Sequence, residues 1–127
     1  MSSLLKKATK KIGAVERKLH PGAYISEIVA VKDAPGFRIG DAYVITYLLV
    51  DATSGEEYTK EEKYINDSYN TRTNEFLDYL EKNGIEVEKY ADFVGIQEQV
   101  TLEYQVNKGT KFLNFGSRKF IEKKAQV

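Results

Sequence analysis

The chain has no cysteine and no tryptophan, and only one histidine, one methionine and two prolines among 127 residues. Without cysteine there are no disulfide staples, no thiolate metal ligands and no cysteine nucleophile. A lone histidine, His20, speaks against a histidine-based zinc site and against a Ser-His-Asp triad. No apolar run approaches the ~20 residues that span a bilayer, and the lysine-rich start has no signal-peptide core, so a soluble, cytoplasmic protein is expected. Net charge is absent too, with 19 basic residues against 19 acidic ones.

That balance conceals a layout. Residues 1–18 carry six basic side chains and one acid, Glu16; residues 19–106 carry seven basic and seventeen acidic ones; residues 107–127 carry six basic ones and Glu122. The ends are each +5 and the middle is −10, which suits polyanion binding by the ends and argues against a uniformly basic nucleic-acid protein. At 42% apolar residues, the length fits one globular domain.

Residues 1–20 read as a basic amphipathic helix or arm. Leu4, Leu5, Ala8, Ile12, Val15 and Leu19 recur at steps of three and four, with Lys6, Lys7, Lys10, Lys11, Arg17 and Lys18 on the opposite side. His20-Pro21-Gly22 ends it. The period then changes to two. Tyr24–Val31, Tyr43–Val50 and Tyr58–Ile65 read as strands, separated by a Pro/Gly loop over 32–40 and by Asp51–Gly55. Asn70 or Thr71 caps a predicted helix running to Asn83, with Thr73, Phe76, Leu77 and Leu80 on one side. Gln99–Val106 and Lys111–Phe120 form a last hairpin around Asn107-Lys108-Gly109, with Val100, Leu102, Tyr104 and Val106 expected inward.

Three strands, a helix and two strands is the element order of the oligonucleotide/oligosaccharide-binding (OB) barrel, so the expectation is an all-β, five-stranded OB-fold-like barrel over 21–121 with a basic tail over 122–127. The segments "PGAYISEIVAVKDA", "GDAYVITYLLVD", "TRTNEFLDYLEKNG" and "GTKFLNFGSRKF" resemble those of small single-stranded DNA-binding proteins from phages and mobile elements. That resemblance implies a barrel without cofactor or catalytic residues that binds single-stranded DNA, or RNA, in a role such as DNA replication. It leaves self-association open.

Sequence-tolerant binding needs aromatic faces for bases and cations for phosphates. With a five-residue loop over 52–56, residue 51 faces 57, and Tyr43 and Tyr47 of the second strand face outward with Lys63 of the third. The predicted contacts are therefore Tyr43, Tyr47 and Phe112 for stacking, and Lys63, Arg72, Lys108, Lys111 and Arg118 for phosphate. A one-residue slip would exchange the faces and offer Tyr58, Lys60 and Tyr64 instead. Two other functions compete with this one. Glu61-Glu62-Lys63 fits the E-x-K element of a metal-dependent nuclease, but Asp51 and Asp41 lie too far along the hairpin to share an ion with it. The acidic middle could instead engage a basic protein partner.

Overall fold

The computed structural model describes residues 18–124. Within them lie strands β1 (Gly22–Asp33), β2 (Ala42–Asp51) and β3 (Glu57–Ile65), helix α1 (Thr71–Lys82), a 3-10 turn (Tyr90–Phe93), and strands β4 (Ile96–Asn107) and β5 (Thr110–Lys123). The expected order of three strands, helix and two strands is present. The predicted N-terminal helix lies outside the described residues, apart from Lys18–His20, which are irregular. β5 runs to Lys123, into the segment expected as tail.

All strands are antiparallel neighbours in one sheet of order β3-β2-β1-β4-β5, so β3 and β5 are its edges. The sheet curls enough for β5 side chains to meet those of β2 and β3. Phe115 packs edge-on against Tyr47, ring centroids 5.0 Å apart, and Arg118 donates to the Tyr47 hydroxyl at 3.1 Å. Three irregularities interrupt the ladders: Val29 bulges out of the β1–β2 register, and in the β4–β5 ladder Ile121 is skipped between Phe120 and Glu122 and Gly116-Ser117 bulge opposite Thr101. A side chain at Gly116 would displace the Glu103 carboxylate and press on the Thr101 hydroxyl across the ladder.

Helix α1 starts where Asn70 Oδ1 accepts the Thr73 N–H at 2.9 Å, and Asn83 caps its other end. Its apolar side closes the concave face of the sheet: Phe76 stacks on Tyr64 at 5.1 Å and on Phe93 at 6.1 Å, and Leu80 is fully buried. The core is Tyr24, Ile28, Tyr43, Ile45, Tyr47, Leu49, Tyr64, Phe76, Leu80, Phe93, Ile96, Val100 and Leu102.

The register of β2 and β3 corrects the expected one. Val50 pairs with Glu57, and the Asp51 N–H donates to the Glu56 carbonyl at 2.8 Å, so the loop is four residues long rather than five. Asp51 makes the shorter loop by accepting the N–H groups of Thr53 and Ser54 at 2.8 and 3.2 Å, and Gly55 turns the chain at φ +77°. One residue of register flips a strand's faces. Tyr43, Ile45, Tyr47 and Leu49 therefore share the inward face with Tyr58, Lys60, Glu62 and Tyr64. The expected outward placement of Tyr43 and Tyr47 is overturned: they are 4% and 0% exposed.

Candidate nucleic-acid interface

Charged side chains on the inward face would be costly in an apolar core, and the fold gives Glu98, Lys60 and Glu62 each an ion-pair partner. Glu98 continues the inward series of β4 and is 0% exposed. Arg118 reaches it from β5 through Nε and Nη2, at 2.9 and 2.7 Å, in a two-pronged ion pair. The same guanidinium lies 4.4 Å from the Phe76 ring centre and 4.6 Å from that of Phe115. Tyr47 and Tyr64 join their hydroxyls at 2.9 Å, and burial pushes the Tyr47 phenol well up from its ordinary pKa. On β3, Lys60 and Glu62 pair at 2.6 Å.

Above this throat, between α1 with β3 on one side and β5 on the other, opens a cleft of about 620 Å³. Tyr64, Phe76, Tyr79 and Phe115 supply ring surface, and Arg72 and Glu62 meet at its rim at 2.5 Å. Arg72 also donates to the Lys63 carbonyl and covers the Tyr64 ring at 4.3 Å. Burial, then the nearby Glu98 charge, raises the Tyr79 phenol. Gln105 and Asn114 close the far side, the Asn114 amide donating to the Gln105 carbonyl oxygen at 3.0 Å.

Those two amides belong to an arm. β1 ends its pairing with β4 at Gly22 opposite Leu102, so beyond Leu102 the β4–β5 hairpin runs on as a two-stranded ribbon without a third strand. Tyr104 and Val106 keep the inward parity read from sequence but have no core to enter, and are 51% and 70% exposed. This corrects their expected burial. Lys108 at φ +51° and Gly109 at φ +80° make the tight turn at the tip. Lys111 lies 4.6 Å from the centre of the Tyr104 ring, a cation–π contact in solvent. On the opposite face Phe112 sits directly across from Gln105 and is 47% exposed.

The predicted site residues therefore separate into four groups. Lys108, Lys111 and Phe112 all lie on the arm, Lys108 at its tip and Lys111 and Phe112 on opposite faces of the ribbon. Arg72 and Arg118 both line the cleft, but each is committed to a carboxylate, so Arg118 is a core residue rather than a free phosphate ligand. Tyr43 and Tyr47 lie inside, where no base can stack on them. Lys63 is exposed on the outer face of β3, its side chain 4.9 Å from the Phe37 ring, and only its backbone carbonyl meets another of the eight, Arg72. Sequence reasoning missed Glu98, Tyr79, Gln105 and Asn114. For Glu98 a clue was present, since the i, i+2 series Ile96-Glu98-Val100-Leu102 places a carboxylate among core positions that demand a cationic partner.

Glu61 and Lys63 of the E-x-K element face outward while Glu62 is consumed by Lys60 and Arg72. Among the described residues no group of three or more His, Asp or Glu side chains is placed to hold a metal ion, and no helix is long and apolar enough to cross a membrane. No family model, curated protein or solved structure matches the chain.

Proposed function

We propose that this chain is a non-enzymatic module, an open OB-like barrel, that binds single-stranded nucleic acid with little sequence preference through its β4–β5 arm. The observation that carries the reading is the exposure on one two-stranded ribbon of Tyr104, Val106 and Phe112 beside Lys108 and Lys111. Exposed apolar side chains clustered on one element mark an interaction site more often than scattered ones do, and rings beside ammonium groups suit bases joined by phosphates. A duplex hides the faces of its bases, so a single strand is the better ligand. The basic segment 107–127, which includes the tip and returning strand of the arm, adds long-range attraction there.

The test is a titration of the full chain with fluorescent single-stranded DNA, RNA and duplex DNA at two salt concentrations. Tighter binding of single strands, weakened by salt, is the expected result; equal binding of duplex, or none of any polymer, defeats it. A protein partner is the second reading, favoured by Ile39 and Tyr69, which are 88% and 92% exposed on loops of the acidic body. Capture of a basic protein by a chain without oligonucleotide affinity is its signature.

A further inference from the structure

The cleft between α1, β3 and β5 has a volume of about 620 Å³, within the ~300–1,000 Å³ of small-molecule sites. Its chemistry narrows the occupant. The charged side chains lining it are Arg72, Arg118, Glu62 and Glu75, a net charge of zero, and both guanidiniums already hold carboxylates. An ionic ligand gains no net attraction there, and Glu75 works against a phosphate. Of the lining rings, Tyr64 and Phe76 are buried and covered, which leaves the half-buried Tyr79 and Phe115 as aromatic surface, with neutral amides at one edge: Gln105 and Asn114 offer donors and acceptors at the mouth. A flat, uncharged heterocycle with hydrogen-bonding edges matches this surface.

The arm shows where such a group would come from. Gln105 stands directly opposite Phe112 in the β4–β5 ladder, and Asn114 lies two residues along the same strand from Phe112, so all three share one face of the ribbon. A strand whose base lies on the exposed Phe112 ring therefore has its next base beside the amide pair and the opening of the cleft. We infer that the cleft seats one nucleobase of the bound single strand, held against the half-buried Tyr79 and Phe115 rings and read along its edge by Gln105 and Asn114, while the phosphates stay outside with Lys108 and Lys111. This rests on the function proposed above and assigns the α1–β3–β5 cleft a separate part in it.

The experiment separates the two. The isotope-labelled full chain is titrated with an oligothymidine of about ten nucleotides, a usual length for one such domain, and with its abasic counterpart, which keeps the sugar-phosphate chain and lacks bases. Nuclear magnetic resonance follows the Gln105 and Asn114 side-chain amides, the Arg118 Nε–H and the backbone amides of residues 108–112. Oligothymidine is expected to shift both sets, whereas the abasic strand shifts the 108–112 set alone. The double variant Gln105→Leu, Asn114→Leu, at solvent-facing positions, is expected to bind oligothymidine about tenfold more weakly, with an unchanged melting temperature and unchanged abasic binding. If oligothymidine shifts residues 108–112 but leaves the cleft signals still, the base seat is wrong and the arm stands. If the abasic strand moves the cleft signals equally, the cleft binds backbone and the base seat is wrong. If neither strand moves any signal, the function proposed above falls and the base seat with it.

Discussion

The throat of the sheet and the β4–β5 arm are made from the same two kinds of side chain, cations and aromatic rings, and use them in opposite ways. In the throat Arg118 lies against Phe76 and Phe115, but Glu98 neutralises it and the rings are packed. On the arm Lys111 lies against Tyr104 with the ring half in water. An aromatic-plus-cation pattern is thus no guide to ligand binding by itself. What decides is whether a carboxylate has already taken the charge and a neighbouring element the ring face.

The comparison breaks most visibly at Arg118. Arg118→Ala leaves Glu98 buried without a partner and is expected to cost about 3–5 kcal/mol, read as a large fall in denaturation midpoint. Replacing both partners together, Arg118→Met with Glu98→Leu, is expected to recover most of that loss. If Arg118→Ala keeps its stability and loses only oligonucleotide affinity, the throat is a binding surface and the contrast fails.

Alkaline pH probes the same interior. Burial, then neighbouring phenols, pushes Tyr43 up to about 12 from its ordinary 10.0. A raised phenol favours the folded state fully below pH 10, and that contribution disappears as pH rises through the window from 10 to about 12. Phenolate absorbance of the buried tyrosines is expected to appear together with unfolding.

On the arm the effects fall on binding. Phe112→Ala is expected to weaken single-strand affinity by about 1–3 kcal/mol while stability stays within about 0.5 kcal/mol. Lys108→Gln and Lys111→Gln are each expected to lower the slope of log affinity against log salt by roughly 0.7, with equal effect on any sequence.

The smallest expected effect concerns Asp51. The Thr53 and Ser54 N–H groups, helped by His20 at 3.1 Å, hold its carboxyl below the ordinary 3.8. Its contribution is present above pH 3.8 and lost as pH falls through the lowered folded value, so Asp51→Asn is expected to reduce the acid sensitivity of unfolding. An identical acid limb in the variant would contradict the loop geometry that sets the β2–β3 register.

Most element positions were legible because each junction carries turn chemistry: Asn70 before α1, Asn83-Gly84 after it, and Lys108-Gly109 in the last hairpin. The strand faces of β2 were not. Val44, Thr46, Leu48 and Val50 are as β-prone as the tyrosine series, so apolarity could not choose between them, and the choice fell to a loop one residue shorter than expected. The fate of Arg118 was hidden for a different reason. Its partner Glu98 is twenty residues away, and only the folded ladder brings them together. The placement of Lys108, Lys111 and Phe112 on an exposed hairpin was legible because a hairpin tip is a local feature.

The central claim is that the arm, rather than the throat, meets the ligand. It is tested most directly by oligonucleotide titration of Phe112→Ala beside Tyr47→Phe, with thermal unfolding of both. The account predicts that Phe112→Ala loses affinity at native stability. Tyr47→Phe, which removes the hydroxyl joined to Tyr64 and Arg118, is predicted to lose about 1–3 kcal/mol of stability and keep its affinity. Full affinity in Phe112→Ala together with loss of affinity in a stable Tyr47→Phe would contradict it.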